Sequence, residues 1–321
     1  MKLALIGYGN VARALERLIA NRRREFPFTI TGIHTLRHGT AVDRNGLAGE
    51  PAFGPRAGSI EEFLDAAGAE VAVELTTLDP TGGEPAISHI RAAFARGMHV
   101  VTANKGPIAH AYADLRDMAA RAGLGFRFES AVMDGAPVFN LWRHAMPGVK
   151  VLGFTGALNS TSKVVVETME RGGSFEDGLA AARAMGITEA GGAYDVEGWD
   201  SAAKTAALAN VLLDARTTPQ RVSTRGIARL TPERMAAINR QGKTVRLISR
   251  ARSTRAGVRL RVRAEVLDRA DILAAPHGTS NILLFHTDLM GTFGTVSIDP
   301  GVEQTAYGVF GDLVSLRTGP P

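Results

Sequence analysis

Leu3-Ala4-Leu5-Ile6-Gly7-Tyr8-Gly9-Asn10-Val11-Ala12 opens the chain. An apolar run of buried-strand length leads into Gly-x-Gly-x-x-Ala, and residues 11–24 continue with helical apolar spacing. This is the turn of a dinucleotide-binding fold. Gly7 permits the tight turn, Gly9 lets a pyrophosphate approach the backbone at a helix N-terminus, and small Ala12 lets helix and strand close up. Gly7, Gly9, Asn10 and Val11 are therefore candidate cofactor-binding residues. The same turn also occurs as structural punctuation, and its weight comes from the pattern around it.

That pattern alternates. Strand-like segments at 28–34, 71–75, 99–102 and 125–128 are separated by helical segments that start behind a Ser59 cap and at 85–96 and 109–122. The alternation predicts a Rossmann-like, doubly wound parallel α/β sheet. Near residue 135 the pattern changes. A strand at 149–158, helices at 162–172 and 175–185, and an Ala-rich helix at 201–213 precede strand-like segments at 221–227, 244–250, 258–267, 281–287 and 294–298. This predicts a second, α+β domain with a mixed or antiparallel sheet. A helix at 305–316 is expected to pack back on the first domain. The expected organisation is 1–134 for dinucleotide binding, 135–298 for catalysis and dimerisation, and 299–321 for the returning helix.

Composition agrees with this. At roughly 100–200 residues per domain, 321 residues accommodate two domains. With 45% hydrophobic and 21% charged residues, a disordered chain, a collagen-like repeat and a coiled coil are excluded. Cys is absent, which removes disulfides, thiolate metal sites and a cysteine nucleophile. No apolar run approaches the ~20 residues of a membrane helix, and the N-terminal run breaks at Gly7, too early for a secretion signal. A cytoplasmic protein without a membrane partner is expected. The net charge of +5 raises nucleic acid as a partner, but the Arg residues are scattered and only 6% of residues are aromatic, so none is expected. Arg259, Arg261 and Arg263 share one side of an expected strand, either a solvated sheet face or an anion-binding surface.

The second strand runs into His34-Thr35-Leu36-Arg37-His38 without the acid that would bind a ribose 2′-hydroxyl. Arg37 and His38 suit a 2′-phosphate, so NADP(H) is expected over NAD(H); the plainer reading is an exposed basic loop. A metal between His34 and His38 lacks a third ligand. Ligands of open α/β sheets gather beyond the C-terminal ends of the strands, which makes Thr76, Thr102 and Lys105 further cofactor candidates, a lysine there being able to meet a carboxylate or phosphate; the plainer reading of Lys105 is an exposed loop lysine. In Ile187-Thr188-Glu189-Ala190-Gly191-Gly192-Ala193-Tyr194-Asp195-Val196-Glu197-Gly198-Trp199-Asp200-Ser201-Ala202-Ala203-Lys204, Asp200 and Lys204 are four apart on one helix face, with Glu189 and Asp195 on the loop before them. A lysine among carboxylates can protonate a developing alkoxide, and carboxylates suit a substrate ammonium. A surface ion pair explains the same spacing equally well.

GYGNVA (7–12), VTANKGP (101–107), ESAVMDGAPVF (129–139), GALNSTS (156–162) and ITEAGGAYDVEGWDSAAK (187–204) together resemble homoserine dehydrogenases over nearly the whole chain. The D-V-E-G-x-D-x-A-x-K string is the specific part. The resemblance implies NAD(P)H-dependent interconversion of L-aspartate 4-semialdehyde and L-homoserine in threonine and methionine biosynthesis. It implies a catalytic Lys204 with Asp200 as helix partner, a catalytic Lys105, and substrate contacts from Glu189, Asp195 and Thr161. It further implies a Na⁺ or K⁺ site at Glu129, Val132, Asp134 and Ala136, built mostly of backbone carbonyls, and a homodimer paired through the second domain, with 258–267 a candidate strand. Relatives often read N-G/S-T-T-N-Y where this chain has Asn159-Ser160-Thr161-Ser162-Lys163-Val164, so Lys163 puts a charge where a neutral amide is usual. The E-A-D-P turn is here Glu189-Ala190-Gly191-Gly192, and the Gly-rich loop before the last helix is shortened. These departures leave a different amino- or hydroxy-aldehyde as the alternative substrate. A nucleotide-binding sensor without catalysis is the rival class, but it has no need of Lys105, Asp200 and Lys204 together. The short tail after the last helix leads to the expectation that no threonine-sensing regulatory domain is present.

Overall fold

The computed structural model describes residues 1–79, 81–188 and 192–318, and they fall into two compact units, Met1–Pro147 with Gly301–Pro321 and Gly148–Pro300. The first unit carries β1 (Lys2–Ile6), α1 (Asn10–Asn21), β2 (Thr29–Thr35), β3 (Gly39–Val42), α2 (Ile60–Ala67), β4 (Val71–Glu74), α3 (Ala86–Ala95), β5 (His99–Thr102), α4 (Lys105–Arg121), β6 (Phe126–Arg127) and α5 (Ser130–Met133). The second carries β7 (Val151–Ala157), α6 (Ser160–Glu170), α7 (Phe175–Ala184), α8 (Ala193–Val196), α9 (Trp199–Leu213), β8 (Ser223–Arg225), α10 (Pro232–Arg240), β9 (Lys243–Thr254), β10 (Gly257–Asp268), β11 (Asn281–Thr287) and β12 (Thr292–Ser297). The chain then returns to the first unit with α11 (Val302–Thr318).

The first sheet has the order β3-β2-β1-β4-β5-β6. β1 pairs in parallel with both β2 and β4, so the winding reverses beside β1, the place where open α/β sheets take their ligands. The expected doubly wound parallel sheet carries one addition at its edge, β3, which is antiparallel to β2. Leu36, Arg37 and His38 are the tip of that hairpin. Leu3, Leu5, Ile33, Val73 and Val101 from the strands pack with Leu15 and Ile19 of α1 and with Val309, Phe310 and Leu313 of α11. Phe310 sets its ring nearly perpendicular to Phe26 and Phe28, at 5.4 and 5.6 Å between centroids. Residues 135–147, expected in the second domain, lie in the first unit and include a π-helical turn, Leu141–Ala145.

Helix starts follow their caps. Ser59 Oγ accepts the Glu62 N–H at 3.1 Å. The expected helix at 109–122 begins four residues earlier, at Lys105, because Asn104 Oδ1 accepts the Gly106 N–H at 2.9 Å and Pro107 is tolerated in the first turn. The unexpected α10 starts in the same way, with Thr231 as cap and Pro232 at its first position.

The second sheet is mixed, in the order β12-β11-β7-β9-β10-β8, with only β8 and β10 parallel. Ala157, Ile248, Leu267 and Ile282 form a core with Leu273 and Ala274. The arginine-rich strand is tied down by local contacts. Arg261 pairs with Glu265 at 3.2 Å, Arg250 grips the same carboxylate in a fork at 3.0 and 2.7 Å, and Arg263 donates to Ser223 Oγ at 2.8 Å. No helix among the described residues is long and apolar enough to cross a membrane.

Candidate active site

In the first unit Gly7, Gly9, Thr76 and Thr102 follow or end the neighbouring strands β1, β4 and β5. Gly7 has φ +98°, and a Cβ there would lie 2.7 Å from the Leu75 carbonyl oxygen, so only glycine fits. A Cβ on Gly9 would meet nothing within 4 Å. Gly9 caps α1 without a side-chain hydrogen bond, so the cap itself takes none of the N–H groups of the first turn, which begins at Asn10 and Val11. This cradle fits a dinucleotide pyrophosphate. Across the switch point, buried Glu74 organises the ends of β4 and β5. Its Oε1 accepts both the N–H (3.0 Å) and the hydroxyl of Thr76, and its Oε2 accepts the Thr102 hydroxyl at 2.9 Å. Asn104 donates its backbone N–H to Thr102 Oγ1 at 2.9 Å and its amide to the Thr76 carbonyl at 3.2 Å. Thr76 and Thr102 thus belong to one braced platform, with half-buried Lys105 at the head of α4. Arg37 and His38 are exposed at the β2–β3 tip.

Glu129 lies just before α5 and is buried. Its carboxylate accepts the N–H groups of Val138, Phe139 (3.0 Å) and Asn140 (2.5 Å), yet burial outweighs these bonds and pushes its pKa up to about 7. Val132 is buried, Asp134 turns the chain at φ 52°, and the Ala136 N–H donates to the Met133 carbonyl at 2.9 Å. Asp312 of α11 accepts the Glu129 N–H at 2.7 Å and the Asn140 amide at 2.8 Å. No cluster of three His, Cys, Asp or Glu suited to a metal exists among the described residues, so a cation here would rest on backbone carbonyls and the single Glu129 carboxylate. An all-oxygen donor set of that kind suits a hard cation.

The chemistry-bearing cluster of the second unit is built on three helices, α6, α8 and α9. Gly198 opens α9 in the left-handed region, φ 94°, and a Cβ on Gly226 would lie 1.9 Å from the Val196 carbonyl oxygen. That close approach lets the Ile227 N–H donate to Val196 O at 2.7 Å and pins α8 before α9 begins. On α9, Lys204 Nζ lies 3.1 Å from Asp200 Oδ2 and donates to the Leu158 carbonyl at 2.7 Å. These side chains are 16% and 12% exposed, so the pair is largely withdrawn from water and is not the surface ion pair that spacing alone allows. Asn159 holds the group together. Its Oδ1 caps α6 by accepting the Ser162 N–H at 2.7 Å, and its amide donates to Asp195 Oδ1 (2.8 Å) and Asp200 Oδ2 (3.1 Å). Thr188 donates its hydroxyl to Asp195 Oδ2 at 2.9 Å. Burial, and then the Asp200 charge, push the Asp195 carboxyl above the usual carboxylate range. Thr161 is buried and ties α6 to the Ile187 carbonyl at 3.3 Å. Glu189 lies outside the described residues.

Sequence reading missed three parts of this arrangement. Asn159 was legible only as a motif residue, although Asn before a helical run is a cap signal. Glu74 reads as the end of a buried strand, where a lone acid is itself a warning that partners exist. Asn104 was hidden because the helix behind it was placed too late.

A family profile described as homoserine dehydrogenase matches residues 137–314, and one described as homoserine dehydrogenase, NAD binding domain, matches residues 7–129. An NAD(+)-dependent homoserine dehydrogenase of Pseudomonas canavaninivorans is 35% identical over 98% of this chain and 96% of its own. The homoserine dehydrogenase of Methanocaldococcus jannaschii is 30% identical over 98% of both chains. Among solved structures, the homoserine dehydrogenase of Thermoplasma acidophilum superposes with a TM-score of 0.83 at 26% identity, covering 99% of each chain.

Proposed function

The chain belongs to the homoserine dehydrogenase family, and on that premise we propose that it interconverts L-homoserine and L-aspartate 4-semialdehyde with a nicotinamide dinucleotide. The observation that carries this reading is the withdrawn Lys204–Asp200 pair, held by Asn159 beside a second carboxylate. The nicotinamide, when bound, supplies or takes up the hydride. Lys204 Nζ handles the proton: its ammonium protonates the alkoxide oxygen in reduction, and its neutral amine takes the hydroxyl proton in oxidation. The Leu158 carbonyl and Asp200 fix the direction of Nζ, so little reorganisation is needed during reaction. Asp195 and Glu189 receive the substrate ammonium, and Thr161 keeps the 187 segment against α6. Gly7, Gly9, Asn10, Val11, Thr76 and Thr102 hold the dinucleotide, and Lys105 meets its nicotinamide end.

The test is steady-state oxidation of homoserine, with other amino- and hydroxy-alcohols in parallel. Homoserine should give the highest kcat/KM. A preference of tenfold or more for another alcohol would move the reading to a different aldehyde. Potassium and sodium arms belong in the same assay, because the Val132, Asp134 and Ala136 carbonyls with Glu129 are read as a monovalent cation site. Activity should fall when both are replaced by a bulky organic cation. The same reading places the enzyme in the cytoplasm, in threonine and methionine biosynthesis. It also makes the enzyme a homodimer paired through the second sheet, and sedimentation at micromolar concentration should give twice 34.0 kDa.

For the cofactor we propose NADP(H) with NAD(H) as a second substrate. The β2–β3 tip offers Arg37 and His38 and no carboxylate. One charge-assisted bond to a 2′-phosphate contributes roughly 1.5–3 kcal/mol. Arg37→Ala should accordingly raise the KM for NADPH by about ten-fold or more while the KM for NADH stays within about two-fold. Equal losses for both cofactors would remove Arg37 from phosphate recognition.

A further inference from the structure

Phe53 lies in the loop between β3 and α2, and its ring touches two segments that carry the cofactor candidates. Its centroid is 5.9 Å from that of Tyr8, which stands between Gly7 and Gly9, and 5.8 Å from the His38 imidazole at the β2–β3 tip. Both spacings are aromatic contacts. The two outer rings are themselves anchored. The Tyr8 hydroxyl donates to the Glu16 carboxylate of α1, and the Arg13 guanidinium lies 5.4 Å over the Tyr8 ring. The His38 N–H donates to Thr35 Oγ1 at 2.8 Å.

The backbone beside Phe53 is clasped to the hairpin. The Gly54 N–H donates to the Thr40 carbonyl at 2.9 Å, and the Thr40 N–H donates back to the Gly54 carbonyl at 3.3 Å. The approach is close: a Cβ on Gly39, itself at φ +92°, would lie 2.0 Å from the Gly54 carbonyl oxygen. The Ala57 N–H donates to Thr40 Oγ1 at 3.0 Å. Phe53 and Tyr8 are half-buried and pack against the core of the first unit, whereas Arg37 and His38 are exposed. The Phe53 ring thus reaches from that core to the tip of an edge hairpin.

We propose that Phe53 is a specificity-determining residue, a wedge that holds the β2–β3 tip at a fixed offset from the nucleotide turn so that Arg37 and His38 meet a ribose 2′-phosphate. The proposal rests on the reading of Gly7, Gly9, Arg37 and His38 as contacts of one dinucleotide. In this fold the pyrophosphate sits at the glycine turn and the adenosine ribose beside the end of the second strand. The ribose 2′ oxygen therefore belongs between the two segments that Phe53 joins. Contacts at the glycine turn serve NADPH and NADH alike, and a contact to the 2′-phosphate serves NADPH alone. Loss of the wedge leaves the tip aimed only by its hairpin bonds, which weakens NADPH selectively.

The experiment compares kcat/KM for NADPH and for NADH in wild type, Phe53→Leu and Phe53→Tyr during semialdehyde reduction. Leucine keeps an apolar body against the core and removes the ring; tyrosine keeps the ring. Phe53→Leu should lower the NADPH-to-NADH ratio of kcat/KM by at least about fivefold, whatever its starting value. The change should lie in the KM for NADPH, with kcat at saturating cofactor within about twofold of wild type. Phe53→Tyr should keep the ratio within about twofold. A packing role lowers Tm or raises both KM values together and leaves the ratio where it was. An unchanged ratio in Phe53→Leu overturns the proposal.

A second readout does not depend on turnover. Adenosine 2′,5′-bisphosphate and AMP are titrated onto wild type and Phe53→Leu by calorimetry. The Kd of the bisphosphate should rise at least about fivefold in the variant, and that of AMP should stay within about twofold. Equal rises overturn the proposal. Arg37→Ala, carried through the same kinetic comparison, separates the two readings. A ratio unmoved by Arg37→Ala removes Arg37 from phosphate recognition. A ratio lowered by Arg37→Ala and unmoved by Phe53→Leu leaves that recognition standing and removes the wedge.

Discussion

Lys204→Ala is expected to lower kcat for homoserine oxidation by about 10²–10⁴-fold, the range for losing a positioned acid–base group. Folding should suffer less. Alanine is a better helix former than lysine, and Asp200 keeps its bond from the Asn159 amide after the ammonium is gone. Because the pair is mostly buried, a cost of about 1–3 kcal/mol in stability is expected. Lys204→Met retains the aliphatic stem within α9's packing but removes the same buried pair, so it should show the same kinetic loss with a stability cost no larger than that of Lys204→Ala. Stopped-flow measurement of the first turnover, with a melting curve for each variant, checks both numbers. Native kcat in either variant would remove Lys204 from the chemistry.

The second large effect is expected at Asn159, which carries no charge. Asn159→Ala deletes the cap of α6 and leaves one acceptor position of Asp195 and one of Asp200 without its donor, inside a site where water is scarce. A lost cap costs about 1 kcal/mol, and an unsatisfied buried acceptor about 1–3 kcal/mol. A stability loss of about 2–4 kcal/mol is expected in denaturant melts. Repulsion between two carboxylates no longer bridged should also turn Asp195 away, so kcat/KM for homoserine should fall by about 10–100-fold, mostly in KM. Asn159→Asp should be worse for catalysis and milder for folding, because a carboxylate still caps the helix but adds a third negative charge to the cluster. A melt unchanged by Asn159→Ala would show that the amide is not bracing the site.

These two residues mark the boundary between sequence and structure. Local chemistry determined the nucleotide turn at Gly7 and Gly9, because a positive φ and a cradle without Cβ atoms need glycine and little else. Period and turn chemistry likewise determined the alternation that builds the first sheet and the change to an α+β pattern behind it. The spacing of Asp200 and Lys204 placed both on one face of α9, since i and i+4 meet on any helix. Spacing does not report water, however. Whether that pair was a solvated surface contact or a withdrawn reaction centre was decided only when α6, α8 and α9 came together and left the side chains 12% and 16% exposed. The same holds for the bridging amide of Asn159, 41 residues from Asp200, and for Glu74, whose partners come from two strand ends. It holds most strongly for Lys163, an ordinary basic residue in the sequence, which is lowered to about 7 by burial and by charges from α9 and β9. Desolvation and charge proximity are properties of the packed chain, and no periodicity along the sequence encodes them.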